Sequence, residues 1–222
     1  MKSINTYYTT KEELESFIHN ADIQDSSSLL IQIFSGITDR SFLSSLLSEL
    51  TALLPHAEIL GTTTDGEIMN GQVSSGKVVL SFTQFEHTTL KTSAAEHISD
   101  GYFSGQYLAK QLTGEKTKLL IAFADGLHTN GEEFLKGIAS VNDDIIVAGG
   151  HAGDNSHFTE TFVFTKTGIL SHGAVAVSLD SEHLQIHKDY SFNWHPIGNE
   201  LTITKAEGNH VYTINGKSAV EI

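Results

Sequence analysis

The stretch LLIQIFSG at residues 29–36 decides the fold, because a second stretch, LLIAFADG at residues 119–126, repeats its pattern at an offset of 90. Both are short, almost continuous apolar runs that end in glycine, a pattern typical of strands covered on both faces. A helix signal and another apolar strand follow each run. Each half therefore indicates a unit in which a helix connects two parallel strands.

Further pairs of segments occur in the same order in the two halves. The strand EIL (58–60) corresponds to DIIVA (144–148), and the glycine-rich segment GTTTDGEI (61–68) corresponds to GGHAGDN (149–155). Asp65 and Asp154 lie there at an offset of 89, and GKVVLSF (76–82) matches GAVAVSL (173–179) at an offset of 97. The second half has gained about eight residues, which we assign to an extra strand over 157–165. The alternative is that any two such units look alike.

These patterns predict a mixed α/β fold of internally duplicated β-α-β-β units with mixed sheets. We expect one domain over residues 1–222, with pseudo-repeats at about 27–98 and 117–190. The two sheets are expected to stack as a four-layer α/β/β/α sandwich, with one wider mixed sheet as the alternative. A β-hairpin is predicted over 199–216, with a terminal Asn215-Gly216 turn. Because the chain stops where another element should begin, we expect the natural protein to continue beyond Ile222.

Helix signals separate the predicted strands. Thr10 begins a capping box that opens a first helix, Asp39 and Thr38 can cap a second helix that Pro55 stops, and Asp100 caps a third. The sequence TNGE at residues 129–132 has the pattern of another capping box.

Composition excludes several classes of function. The net charge of -14 opposes binding to nucleic acid or to anionic membrane surfaces, and we expect neither as a partner. The chain has no cysteine, which excludes disulfides, thiolate zinc sites, thiol catalysis and iron–sulfur clusters. The N-terminus lacks the apolar core of a signal peptide, so a cytoplasmic location is expected. No P-loop, dinucleotide fingerprint or serine nucleophile elbow is present.

The glycine–aspartate segments form the candidate site. They follow strands, and sites in such sheets lie beyond the carboxyl ends of strands. Glycine permits close approach of the backbone, threonine offers hydroxyl groups, and aspartate offers charge, which together suit a small polar or zwitterionic ligand. The residues predicted to bind it are Thr62, Thr63, Thr64, Asp65, Gly149, Gly150, His151 and Asp154. The alternative is that both segments are tight turns whose aspartates cap backbone amides.

Metal binding receives less support from the sequence. Of twelve histidines, His151 and His157 lie near Asp154, but their spacing in a loop fixes no ligand geometry. We therefore expect no metal site and no cofactor. His195, in the segment NWHPIG (193–198), is interpreted as part of a packed corner.

Four of these segments in order resemble the N-terminal part of the FIST sensory domain family. They are GTTTDGEI (61–68), VAGGHAGDN (147–155), SHGAVAVSL (171–179), and NWHPIG (193–198) with LTITKAEGNHVYTINGKSA (201–219). The resemblance implies an intracellular sensory module without catalysis, a small-molecule ligand such as an amino acid, a C-terminal FIST portion and a signalling output domain or protein. Some members are associated with haem and nitric oxide sensing. His151 stands where an apolar residue is expected.

Four hypotheses follow for function. The first is a non-catalytic sensory domain that binds a small, polar, amino-acid-like ligand. The second is haem and nitric oxide sensing, with His151 as the candidate axial ligand. The third is an enzyme that uses Asp65 and Asp154, which requires that the two segments face each other. The fourth is an interaction scaffold in which both segments are structural turns.

Overall fold

Two mixed β-sheets with helices on their outer faces account for most of the chain. The computed structural model describes residues 1–96, 98, 100–189, 195, 197–208 and 210–221. The helices are α1 (Lys11–Asn20), α2 (Arg40–Leu53), α3 (Gly101–Leu112) and α4 (Gly131–Ala139). The strands are β1 (Lys2–Tyr7), β2 (Leu29–Ser35), β3 (Glu58–Thr63), β4 (Glu67–Met69), β5 (Gln72–Ser74), β6 (Val78–Gln84), β7 (Thr89–Glu96), β8 (Thr117–Ala124), β9 (Ile146–His151), β10 (Val163–Thr165), β11 (Gly168–Leu170), β12 (Gly173–Asp180), β13 (Ile203–Glu207), β14 (His210–Ile214) and β15 (Lys217–Ser218).

The chain divides into two units, Met1–Ile186 and His187–Ile222. In the larger unit the first sheet has the strand order β1-β6-β2-β3-β10-β11, and the second has the order β7-β12-β8-β9. Strands β2 and β3 are parallel, as are β8 and β9, whereas the other pairs in these sheets are antiparallel. The prediction of a mixed α/β fold with mixed sheets is confirmed.

Three apolar cores arrange the larger unit in four layers. Strand β2 illustrates this arrangement, because its side chains alternate between two of these cores. Leu29, Ile31 and Ile33 pack with α1 and α2, whereas Leu30 and Phe34 pack against residues of the second sheet. The second sheet packs in turn against α3 and α4. The strand runs are therefore apolar on both faces because both faces are covered.

The helices begin at short polar side chains. Thr10, Asp39 and Asp100 accept hydrogen bonds from the backbone amides three residues later, which confirms the predicted caps. The fourth cap was predicted one residue too early. Asn130, not Thr129, accepts from the first amides of α4, and the Thr129 hydroxyl donates to Asp125. In the part of the chain that the structure describes, no helix is long and apolar enough to cross a membrane.

The order β-α-β-α-β, then a short hairpin, then a last strand, occurs twice along the chain. In the first sheet Ile33 lies opposite Gly61, and in the second Ala122 lies opposite Gly149. Ile33 and Ala122 both face the helices of their own sheets, which gives offsets of 89 and 88, so the sequence alignment at 90 and 89 was displaced by one residue. A slip of one residue moves each side chain to the other face of a sheet. A common origin of the two halves stays a prediction.

The extra strand predicted over 157–165 belongs to the first sheet, although its residues lie in the second half of the chain. Its observed core, β10, pairs antiparallel with β3, so the second half supplies two strands to the first sheet. The long connection Ala152–Phe162 carries the chain from one sheet to the other. Phe162 and Phe164 are then buried in the core between the first sheet and its helices.

The smaller unit is a three-stranded antiparallel sheet in the order β13-β14-β15. Asn215 and Gly216 have φ values of 52° and 74° and connect β14 to β15, as the turn signal predicted. In the segment NWHPIG, positions 193, 194 and 196 lie outside the described residues, whereas His195 is exposed. The proposed corner around His195 stays a prediction.

Candidate functional site

A cleft of about 400 Å³ lies between the two sheets. Its walls come from the inward faces of the central strands, with Gln32 and Phe34 from β2 and Ile121 and Phe123 from β8. Thr62 and Thr64 add hydroxyl groups at the end of β3. A cleft of this size, with apolar walls and a few polar groups, is typical of sites for small molecules.

Small residues on β9 keep this cleft open. Ala148, Gly149 and Gly150 line it, and a Cβ placed on Gly150 would meet no atom within 4 Å. The sequence predicted that Gly149, Gly150 and His151 belong to a loop, which is wrong. All three lie in β9, where they continue the parallel pairing with β8 as far as Ala124. The strand extends past its apolar run because glycine can pair through its backbone although it adds no side chain.

The polar groups of the cleft are mainly hydrogen-bond acceptors. The Thr62 hydroxyl donates to the carbonyl oxygen of Thr63 over 3.0 Å, and the Thr64 hydroxyl donates to the Glu67 carboxylate over 2.7 Å. Each hydroxyl keeps lone pairs that can accept from a ligand. Among the described residues, the half-buried Gln32 side chain has no hydrogen-bond partner. Its amide therefore offers both a donor and an acceptor.

A second cavity of about 240 Å³ lies on the other face of β9, beside α4. Phe134, Leu135 and His151 contribute to its walls. The His151 imidazole lies over Gly131, where an added Cβ would be 2.8 Å from the ring. In the part of the chain that the structure describes, no lysine or arginine lines this cavity or the intersheet cleft, so neither offers a cation to pair with haem propionates. The residues present do not fit haem.

The two glycine–aspartate segments contact each other directly. The Gly153 amide donates to the carbonyl oxygen of Thr63 over 2.9 Å, and the Ser156 amide donates to the exposed Asp65 carboxylate over 3.2 Å. Thr63 itself is fully buried, and its hydroxyl accepts from the Phe162 amide over 3.0 Å. Thr63 therefore joins the first sheet to the segment that leads into β10, and it does not line either cavity.

Asp154 binds its own loop. Its carboxylate, only 4% exposed, accepts hydrogen bonds from the amides of Phe158, Thr159 and Glu160 and from the Thr159 hydroxyl. Burial raises the pKa of this carboxyl, but the hydrogen bonds outweigh that effect and hold the pKa below its usual range. Of the two interpretations given for Asp154, the geometry favours capping. It leaves no free carboxylate there for acid–base catalysis with Asp65.

Two buried carboxylates near the strand ends, Asp125 and Glu67, are not among the residues predicted to bind a ligand. Asp125, after β8, accepts from the amides of Leu127, His128 and Gly173 and from the side chains of His128 and Thr129. Burial opposes its charge, yet these bonds lower its pKa. Glu67 accepts from the Thr64 hydroxyl and the Lys77 amide. Asp125 directly after an apolar strand was the available signal, since short polar residues there bind turn amides.

The structure thus separates the eight predicted site residues into two groups. Five of them line the intersheet cleft, namely Thr62, Thr64, Gly149, Gly150 and His151. The other three, Thr63, Asp65 and Asp154, hold the segments together or cap backbone amides. In the described residues, no group of three or more histidine, aspartate or glutamate side chains could hold a metal ion.

Comparison with known proteins agrees with the resemblance found in the sequence. A search of curated proteins gave no match. The sequence profile of the FIST N domain matches residues 29–217, which includes the second sheet, the first sheet except β1, the intersheet cleft and most of the smaller unit. The chain therefore belongs to the FIST N domain family, a family of sensory domains that act in signal transduction.

Proposed function

We propose that this domain senses a small, polar, amino-acid-like ligand that binds in the intersheet cleft, and that it catalyses no reaction. The observation that carries the proposal is the cleft itself, which combines apolar walls with the unpartnered Gln32 amide. Five of the residues predicted from the sequence line it. A cytoplasmic location, a C-terminal FIST portion and a signalling output domain or protein belong to the same proposal.

The chemistry of the lining favours a ligand that donates hydrogen bonds at one end. The hydroxyl protons of Thr62 and Thr64 are already used, so both oxygens act as acceptors for an ammonium or hydroxyl group. The Gln32 amide can donate to a carboxylate or carbonyl oxygen. Phe34 and Ile121 offer apolar surface for the rest of the molecule. Acceptors, an amide and apolar walls together suit an amino acid with an apolar side chain.

Thermal-shift measurements against the common amino acids and related metabolites test this proposal. A ligand that binds only the folded state raises the melting temperature by mass action. Gly150→Leu should abolish the shift, because its side chain enters the space that the ligand would occupy. Gly168→Leu is the matched control, since that exposed glycine also has free space around its Cβ and lies outside the cleft. A shift that survives Gly150→Leu contradicts the assignment of the ligand to this cleft.

A further inference from the structure

A groove of about 580 Å³ lies between helix α2 and the β10–β11 hairpin. It shares no residue with the intersheet cleft or with the cavity beside α4. Six of its lining side chains are polar, namely Arg40, Ser44, Ser48, Thr51, Lys166 and Thr167, and the rest of the lining is apolar or glycine. A groove of this volume is within the range of sites for small molecules.

The charge of this groove is opposite to that of the whole chain. The sequence has 27 acidic and 13 basic side chains, yet among the described residues two basic side chains and no acidic one line the groove. Arg40 is also the only arginine in the sequence. A guanidinium group presents planar, paired N–H donors that match a carboxylate or a phosphate. The groove therefore suits an anion, although the chain as a whole repels anions.

The Arg40 side chain is held in a fixed position. Its Nη2 atom donates to the carbonyl oxygen of Ile169 over 2.9 Å, and its guanidinium carbon lies 5.8 Å from the centre of the Phe162 ring. The bond to Ile169 uses one of the five N–H donors, so four remain for a ligand. A side chain that is already ordered loses less conformational freedom when it binds.

Lys166 lies toward the other end of α2, because its ammonium group bonds to residues that follow that helix. It donates to the Glu58 carboxylate over 2.9 Å and to the Ala57 carbonyl oxygen over 3.3 Å. One of its three protons stays free, and since Glu58 balances its charge, that proton suits an uncharged oxygen of a ligand. Ile169 and Lys166 are three residues apart, so the two ends of the groove are separated by up to about 10 Å.

Hydroxyl groups line the groove along α2. Ser44, Ser48 and Thr51 are spaced four and three residues apart, which places them on one face of the helix. The Ser48 hydroxyl donates to the Ser44 carbonyl oxygen over 2.9 Å. The hydroxyl groups of Ser44 and Thr51 have no hydrogen-bond partner within the described part of the chain. Because a hydroxyl group both donates and accepts, this face matches a ligand that carries hydroxyl groups.

The carboxylates next to these basic groups are bonded away from the groove. Asp39 accepts from the amide of Phe42 at the start of α2, and Glu58 accepts from Lys166 and from the Thr92 hydroxyl. Neither carboxylate lines the groove. The guanidinium charge therefore stays available to one anionic group.

We propose that this groove binds a small hydroxylated anion, a sugar acid or a sugar phosphate, with its anionic group on Arg40. Its hydroxyl groups lie along α2 toward Lys166. The volume of the groove, its single uncompensated charge and its row of hydroxyl groups each fit such a molecule. The site is distinct from the intersheet cleft, so this proposal does not depend on the amino-acid-like ligand assigned there.

Isothermal titration calorimetry of the whole chain with glucuronate, glucose phosphate and neutral glucose tests the proposal. At least one of the two anions should bind, and the tighter one identifies the anionic group as carboxylate or phosphate. Glucose should bind about tenfold more weakly or not at all. Arg40→Gln should weaken binding of the anion by about ten- to a hundredfold, the value of a charge-assisted hydrogen bond. Lys118→Gln removes an exposed positive charge from β8 and should leave the Kd unchanged.

Further variants locate the anion in the groove. Arg40→Lys keeps the charge but loses the planar fork, so it should recover part of the affinity that Arg40→Gln loses. Ser48→Phe should abolish binding because its ring fills the groove, whereas Ser45→Phe, at an exposed serine of α2 outside the groove, should not. Gly150→Leu, which blocks the intersheet cleft, should leave binding of the anion unchanged.

Absence of binding by both anions overturns the proposal, and so does equal affinity for glucose. A Kd that Arg40→Gln or Ser48→Phe leaves unchanged also overturns it, because the anion then binds elsewhere. Loss of anion binding in Gly150→Leu alone would assign the anion to the intersheet cleft and overturn the groove as its site.

Discussion

The carboxylate of Asp65, in the first half of the chain, accepts a hydrogen bond over 3.2 Å from the amide of Ser156, in the second half. Together with the bond from the Gly153 amide to the Thr63 carbonyl, it joins the two segments that the sequence marked as sites. The two segments hold similar positions in the two halves but have different roles. One ends a strand of the first sheet, and the other carries the chain across to it.

Close packing at this contact predicts a cost for any side chain at Gly153. A Cβ there would lie 2.5 Å from Oδ1 of Asp65 and 2.8 Å from its backbone nitrogen. Gly153→Ala should lower the free energy of unfolding by about 1–3 kcal/mol, as overpacking usually does. Urea denaturation measures the change. Gly168→Ala, where an added Cβ meets no atom within 4 Å, should change it by less than about 0.5 kcal/mol. Equal effects of the two substitutions would contradict the contact.

Asp125 should make stability depend on pH in the acid range. Hydrogen bonds from Thr129, Gly173 and His128 outweigh its burial and lower its pKa in the folded state. Its contribution is therefore present above the unfolded pKa of about 4 and is lost as the pH falls through the lower folded value. Asp125→Asn should destabilise the protein by about 2 kcal/mol at neutral pH, and the difference from wild type should shrink in acid.

Urea denaturation of both proteins at neutral pH and at about pH 3 measures this difference. Asp143→Asn, at an exposed aspartate, is the control and should have little effect at either pH. A gap between wild type and Asp125→Asn that stays constant with pH would refute the charged, hydrogen-bonded state assigned to Asp125.

Tyr8 should titrate late in the alkaline range. Burial, followed by the hydrogen bond that its hydroxyl donates to Glu49 over 2.8 Å, raises its pKa to about 12. The stability that this bond provides is fully present below the unfolded pKa of about 10 and is lost as the pH rises through the folded value. Ultraviolet difference absorbance should show one tyrosinate that forms near pH 12 and is missing in Tyr8→Phe. If Tyr8→Phe instead loses an absorbance step at a lower pH, Tyr8 is not the tyrosine that titrates late.

Gln32 should contribute to ligand affinity if the cleft is the sensory site. Its side chain has no partner among the described residues, so a ligand can bond it without breaking a contact in the protein. Gln32→Leu should weaken binding of an amino acid that raises the melting temperature by about tenfold, the value of one hydrogen bond. Isothermal titration calorimetry gives the Kd. Gln111→Leu, at an exposed glutamine of α3, should leave the Kd unchanged, and an equal loss there would argue for an indirect effect.

Sequence patterns predicted individual helices and strands better than they predicted which residues contact each other. The apolar runs at 29–36 and 119–126 gave two buried strands, and Thr10, Asp39 and Asp100 gave three helix starts, because these signals are local. The predicted alignment of the two halves, however, was displaced by one residue, which assigns side chains to the wrong face of a strand. Runs that are apolar at every position carry no period, so nothing in them shows which side chains point to the helices.

The candidate site shows the same division. Thr62, Thr64, Gly149, Gly150 and His151 line the intersheet cleft. Small and hydroxyl-bearing residues at strand ends are visible in a sequence, but the binding of a ligand by these residues stays a prediction. The role of Asp154 was left between two interpretations, since its choice of backbone partners depends on how the loop folds around it. The pairing of β10 with β3 joins residues about 100 positions apart, and no local signal encodes a contact of that range.

The placement of β10 also has a consequence for synthesis on the ribosome. Four strands of the first sheet and its helices emerge early, but Phe162 and Phe164, which complete their core, lie far downstream. Until those residues leave the exit tunnel, the nascent N-terminal half has an uncovered edge at β3 and an unfilled space beside Gly61. We therefore expect the two halves to fold as one unit, and a nascent chain that ends before residue 162 to expose an edge that is prone to aggregation.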